Sequence, residues 1–397
     1  MYAKGPAAKP DAPASESGKK FDFATEMKKE ATGMKPFPIA SPDGSFTASV
    51  SAVAPPKVSG KDDRSVSFAI DIGAQRPMDC GVFGRRIDAA TTLWKLVVDP
   101  IAKMPLKEVL TLEIAADDDR TQVTLHMAAV NEKREAHVLK ATVVSLAEST
   151  VVCQHEEVGY AATAKAVTLE LARTLKRTGS VTVPRFHDLV VVKVGGVAIG
   201  WTERYIVDRS DGISMEAEYG GFLMAKAPGE IVAKDDATAT EIDRDGLVKS
   251  ITRGEGGPTG LITKVGVTRK GATTDYEVEG ELEREKVHTT LKSKRPLRGL
   301  ALIAQDIVAN AHAARSAPFV EEGLSWSGGA KEISVSTYTR TAKFDPNAPT
   351  YTVKADDDEY SVAFDAQGVL THLTGKLEDV PVEGTRLFAK GNPQRKK

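Results

Sequence analysis

The chain reads as an α+β protein in two parts. An N-terminal antiparallel sheet with two packed helices comes first, followed by a large curved antiparallel β-sheet with one helix across it. Three observations predict this. One strand–turn signature recurs through the second half: Gly195-Gly196 between two apolar runs, then Asp-x-x-Gly at Asp243–Gly246 and at Asp365–Gly368. Asp opens such a turn, Gly supplies the positive φ, and a new strand begins. Ile213–Tyr219 and Tyr276–Glu283 alternate polar and apolar residues, which predicts strands with one solvated and one buried face. Apolar residues at helical spacing are confined to three substantial stretches, near 87–101, 158–176 and 297–311.

In chain order, residues 1–20 are rich in Ala, Pro, Ser and Lys with nothing to bury, and are expected to be a disordered tether. Such a segment fits the linker after a removed export signal or a plain cytosolic tail, and both readings stand. Phe23, Met27 and Ala31 suggest a short docked helix ended by Pro36 and Pro38. The first domain is expected over 36–178. Phe46–Val53 reads as a strand with Ser65–Ile72 as its partner. A helix over 87–101 should turn Trp94 to the core. Strands follow at 109–115, 121–130 and 137–146, and then a helix at 158–176. Arg177–Ser180 and Pro184 mark the boundary.

The second domain is expected over 181–378. Its strands are read at 189–194, 213–219, 276–283, 333–339, 351–354, 360–364 and 369–374, with the helix between Pro296 and Pro318. Residues 380–397 are read as an extended, fraying tail.

The order of elements in the first domain resembles the PsbP/Mog1-like fold. The curved meander, with its Gly-Gly hairpin, the Gly200-Trp201 step and the Asp-x-x-Gly turns, is similar to the LolA/LolB-like half-barrel of envelope lipoprotein carriers. That second resemblance implies a half-barrel with a hollow, apolar concave face.

Composition narrows the function. Of 397 residues, 41% are apolar and 27% charged, and 53 basic against 55 acidic residues leave a net charge of −2. This is a globular composition without the basic face of a nucleic-acid binder. No apolar run reaches the roughly 18 residues of a transmembrane helix. Cys80 and Cys153 are expected as separate buried thiols, a single disulfide closing a long loop being the alternative.

No motif carries a specific chemistry. None of the seven histidines has metalloprotease spacing, and Cys153-Gln154-His155-Glu156-Glu157 lacks a second ligand pair, so it reads as a strand-to-helix connection. Asp117–Asp119, Asp243–Gly246 and Asp356–Glu359 read as hairpin turns, lacking the EF-hand order of ligands. Gly195–Thr202 has Trp201 where a phosphate loop needs lysine. His187-Asp188 is a candidate acid–base pair only if the two side chains meet. The expectation is therefore a non-enzymatic, periplasmic or envelope-associated protein without cofactor or metal. Its curved sheet would take a lipid or other apolar ligand on Trp201, Tyr205, Met215, Tyr219, Tyr276, Val278 and Leu282. The alternative is a structural or protein-interaction module with a fully packed core.

Overall fold

The computed structural model describes residues 22–394 apart from 62–64, 118–119, 179–182, 228–229, 258–259, 313–317, 327–332, 344–349, 356–357 and 378–379. The tether expected at 1–20 lies outside the described residues, as do Asp118, Asp119, Asp356 and Asp357 of the acidic turns.

A single helical turn, α1 (Phe23–Glu26), precedes β1 (Lys35–Ala40), β2 (Phe46–Ala52), β3 (Lys57–Lys61), β4 (Ser65–Ile70) and β5 (Met78–Phe83). Next comes α2 (Ala89–Leu93), continued by a π turn at Trp94–Val98 and a 3-10 turn at Asp99–Ile101. Asp88 starts it by accepting from the Ala90 N–H at 2.8 Å. Pro100, with no N–H to give, lies inside the 3-10 turn, and the helix expected over 87–101 is a succession of α, π and 3-10 turns. β6 (Leu106–Asp117), β7 (Arg120–Val130), β8 (Ala136–Ser145), β9 (Thr150–His155), α3 (Ala161–Thr174) and the short β10 (Lys176–Arg177) complete the first domain.

Two sheets make up this domain. β1, β2 and β10 form the small one, and the larger runs in the order β3-β4-β5-β9-β8-β7-β6. The expected pairing of Phe46–Val53 with Ser65–Ile72 does not occur: β2 pairs with β1, and β4 with β3 and β5. Pro36 and Pro38 look like strand breakers, yet β1 is an edge strand, where proline costs no ladder bond. β9 also differs from expectation, being a central strand and not a connection. It brings Cys153 opposite Cys80, Cα–Cα 4.0 Å, and the two are bonded. The expectation of two separate thiols is corrected. One face of the larger sheet packs with the small sheet on α3, through Phe68, Ile70, Val50, Val167 and Leu171.

The second domain is one sheet. Its strands are β11 (Phe186–Val194), β12 (Val197–Asp208), β13 (Ser214–Ala227), β14 (Glu230–Ile242), β15 (Val248–Gly257), β16 (Gly260–Arg269), β17 (Asp275–Leu282) and β18 (Glu285–Lys292). After α4 (Leu300–His312) come β19 (Phe319–Trp326), β20 (Ile333–Lys343), β21 (Thr350–Ala355), β22 (Asp358–Phe364), β23 (Leu370–Leu377) and β24 (Val380–Gly391). All 14 pair antiparallel, in the order β18-β17-β16-β15-β14-β13-β12-β11-β24-β23-β22-β21-β20-β19. The segment read as a fraying tail is thus β24, a central strand between β11 and β23, and the domain extends past 378.

The sheet curls until its ends meet. Leu324 and Ile333 of the last strands join a core with Val265, Val267, Tyr276 and Val278. Glu322 accepts from the Lys294 and Arg295 N–H groups at 2.7 and 3.0 Å. α4 closes one end of the curl: Leu300 packs on Phe186, Ile206 and Val369, and Ile307 on Tyr351 and Phe364. Both Asp-x-x-Gly turns bear on this helix. At Gly246 (φ 82°) a Cβ would lie 2.5 Å from Leu302, and at Gly368 (φ 74°) 2.2 Å from the Ala304 carbonyl oxygen. Glycine is required there both for its φ and for the close approach.

The convex side of β11–β14 packs on the first domain. Leu93, Trp94, Leu125 and Met127 share a core with Leu189, Trp201, Leu223 and Ala233. Within this apolar interface Glu203 Oε1 accepts from Thr121 Oγ1 at 2.8 Å and from Arg86, and lies 2.7 Å from His187 Nε2. Burial pushes the Glu203 carboxyl up, but Arg86, His187 and Thr121 outweigh it and hold the group at about 2. A carboxyl whose pKa is depressed from 4.5 in this way stabilises the fold above pH 4.5 and loses that contribution as pH falls toward 2. The loss should reach about 3 kcal/mol. Urea unfolding at a series of pH values should show it, and Glu203→Gln should flatten the dependence in that window. An unchanged slope in the variant would assign the acid sensitivity to other carboxylates.

Candidate functional site

The seven residues expected to line one concave face fall on two opposite faces. Trp201 is buried against Trp94, ring centroids 6.1 Å apart, at the domain interface. Tyr205 stacks on Tyr219 at 5.7 Å, and the Arg86 guanidinium of the first domain lies 5.0 Å over the Tyr205 ring. Met215 pairs with Val207 in register and shares that convex face, half-buried. Tyr276 and Val278 do face inward, but under Leu297, whose N–H donates to the Tyr276 hydroxyl at 2.7 Å. Leu282 sits half-buried beside them. The seven do not form one wall. The reason is the alternation in β13: Glu216 and Glu218, expected to face solvent, point into the curl, while Ala217 and Tyr219 meet the first domain. The first domain covers the apolar, convex face of β12–β14, so the polar residues of the pattern mark the concave face.

That face carries a charged belt. Asp188, Arg204, Glu218, Thr238 and Arg253 stand in register across β11–β15, a single row perpendicular to the strands. Asp188 is fully buried, with Oδ1 accepting from Arg204 Nε at 3.0 Å. Arg253 pairs with Asp236 in the adjacent row, near Glu255. Burial raises the pKa of Glu218 and of Asp236, against the pull of Arg204 and Arg253 respectively. Glu218 nonetheless stays open to solvent. Glu216, one row nearer α4, accepts from the Leu300 N–H at 3.0 Å and so caps the start of the helix.

Beyond the belt, away from α4, the concave face turns apolar again. Val192, Phe222, Met224 and Val232 are half-buried there, with the exposed Lys234 opposite Phe222 and paired with Glu255. The section that α4 does not fill thus has two parts, a belt of paired and unpaired charges and an apolar strip beside it. It offers polar and apolar contact together and, among the described residues, no nucleophile poised on a base. His187-Asp188 is not an acid–base pair, because neighbours in a strand point to opposite faces. His187 joins Glu203 at the interface and Asp188 joins Arg204 in the curl. Asp243, first residue of the calcium-like sequence, is committed to its own turn. Its Oδ1 accepts from the Asp245 and Leu247 N–H groups, and Arg269 pairs with Oδ2.

Sequence reasoning missed the belt because charged residues in a strand read as a solvated face. The available signal was that Asp188 abuts the continuous apolar run Leu189–Val192. No helix among the described residues is long and apolar enough to cross a membrane. Compared with known protein families and with curated proteins, the sequence matches none. Among solved structures the chain is similar to a β-barrel-like protein of the domain of unknown function DUF1849 from Brucella abortus, at 14% identity and a TM-score of 0.39, over 53% of this chain and 98% of that one.

Proposed function

We propose that the chain is a non-enzymatic cell-envelope protein whose curved sheet takes up an amphiphilic ligand such as a lipid. The polar group of the ligand meets the belt around Glu218 and Arg204, and its apolar part lies along Val192, Phe222, Met224 and Val232. The observation that carries this reading is the half-buried apolar strip beside a solvent-open carboxylate, in the part of the curl that α4 leaves unfilled. A fully packed core would have buried Phe222 and Met224 completely. The Cys80–Cys153 bond supports the envelope location, since such bonds persist in oxidising compartments.

A second reading, the packed interaction module, is favoured by the other side of the curl, where Leu324 and Ile333 fill the face of β16 and β17. Native mass spectrometry of the full chain, purified without detergent, separates the two. Adducts of lipid mass are expected on the wild type and absent from a folded Phe222→Asp variant. Adduct-free spectra for both proteins would leave the packed module standing.

A further inference from the structure

The face of the larger sheet toward α3 is apolar over β4, β5 and β9 and turns polar at its β7–β8 end. On β7 and β8, Leu125, Met127, Leu139 and Ala141 point toward the second domain. Thr124, His126, Lys140 and Thr142 point the other way, toward α3. His126 pairs in register with Lys140, and Lys140 with His155, so three nitrogen bases form a row across β7, β8 and β9. They are only 5%, 4% and 2% exposed. The Lys140 ammonium donates to the Glu157 carbonyl. His126 Nε2 has no hydrogen-bond partner among the described residues. Between this row and the first turns of α3 lies a pocket of about 280 Å³, with His126, Lys140, Thr124 and Thr142 on one wall and Ala161 and Ala162 on the other. Lys165 and Glu113, 2.5 Å apart and partly exposed, stand at its mouth.

We propose that this pocket binds a small monocarboxylate, with the carboxylate on Lys140, His126 and the one hydroxyl proton that the Thr124–Thr142 hydrogen bond leaves over, and a short apolar tail against Ala161 and Ala162. The Lys140 ammonium is held by the Glu157 carbonyl, the His126 Nε2 beside it in the row has no partner among the described residues, and an anion would complete both. The charge count selects a monoanion. Burial, helped by Lys140, pushes the His126 pKa down to about 4, so the ring is neutral near pH 7. Burial lowers Lys140 to about 8 against the opposing pull of Glu157 and Glu30, so it remains mostly protonated there. Burial also lowers His155, the next base in the row. Lys165 and Glu113 neutralise each other. One cation then faces the ligand, and a dianion would bury an unmatched charge. The volume lies at the small end of ligand pockets, which fits a short acid and not a long acyl chain.

Calorimetric titration of the full chain with sodium butyrate, in matched chloride, tests this. Saturable binding is expected, weakened about tenfold or more in Lys140→Met through loss of one charge-assisted contact. It should be abolished by Ala161→Leu, which fills the pocket from its half-buried wall, and retained in Lys57→Gln, on the exposed edge strand β3. Should Lys140→Met fail to fold, the ¹³Cε resonance of Lys140 in the wild type decides. A shift that saturates with butyrate supports the site, and an unmoved resonance overturns it. Equal binding by Lys140→Met, or inorganic phosphate binding more tightly than butyrate, would also overturn it.

Discussion

A chain lacking residues 380–394 should fail to fold its second domain. β24 stands in the middle of the sheet, not at its edge, pairing with β11 over nine register positions and with β23 over six. Removing it leaves the facing edges of β11 and β23 unpaired, each lost backbone bond costing about 1 kcal/mol. It also takes Phe388 from the domain interface and Arg386 from its ion pair with Asp365. The summed loss exceeds the roughly 5–15 kcal/mol that separates folded from unfolded states. Size-exclusion chromatography and limited proteolysis are the measurements. The truncated chain should aggregate or yield a protected fragment confined to the first domain. A soluble monomer with the strand signal of the full chain would show that β11 and β23 can pair directly, and would sink the prediction.

Replacing Cys80 and Cys153 by serine should cost about 4 kcal/mol, the chain entropy of a loop spanning 73 residues. For a domain of this size the first melting transition should drop by about 10 °C. The bridge joins β5 to β9, and both sulfurs belong to the core that holds Phe68, Val167 and Leu171. Buried serines would therefore add a desolvation cost to the entropic one. Calorimetry with and without reductant checks the origin of the effect. Reductant should lower the wild-type transition by a similar amount and leave the double variant unmoved. Reductant that leaves the wild type unmoved as well would mean the thiols are not bonded in solution.

Much of the architecture is legible in the sequence because it rests on local chemistry. β7 was readable from Val123, Leu125 and Met127, and α3 from its apolar stripe. The turns at Asp243 and Asp365 follow from Asx geometry alone. What escaped reading depends on partners distant in sequence. Proline at positions 36 and 38 is acceptable only because β1 lies at an edge. Gln154 and His155 disguise β9, a strand buried on both sides. β24 holds Pro381 and Gly384, and its neighbour β11 begins almost two hundred residues earlier. The candidate site was the least legible part. Tyr205 and Tyr219 look like ligand-lining aromatics, yet they are covered by Arg86 and the first domain. Glu218 looks like an outward residue, yet it points into the curl. Alternation tells which residues share a face, and only the docking of two domains tells which face remains open.

The placement of β24 also governs when the molecule can become itself. During synthesis β11 leaves the ribosome early, and the strand that must lie beside it is made after every other strand of the sheet. Until then β11 and β23 each present an unpaired edge, the template on which chains associate wrongly. The first domain has all its strands by residue 177 and can form beforehand. Its apolar face, with Trp94 and Met127, must then wait for Trp201 and Leu223 to arrive. The newly made chain is therefore half finished and adhesive for most of its production. It would stay open to any chaperone or translocation machinery that acts on unfolded polypeptide, and the making of β24 would end that opportunity.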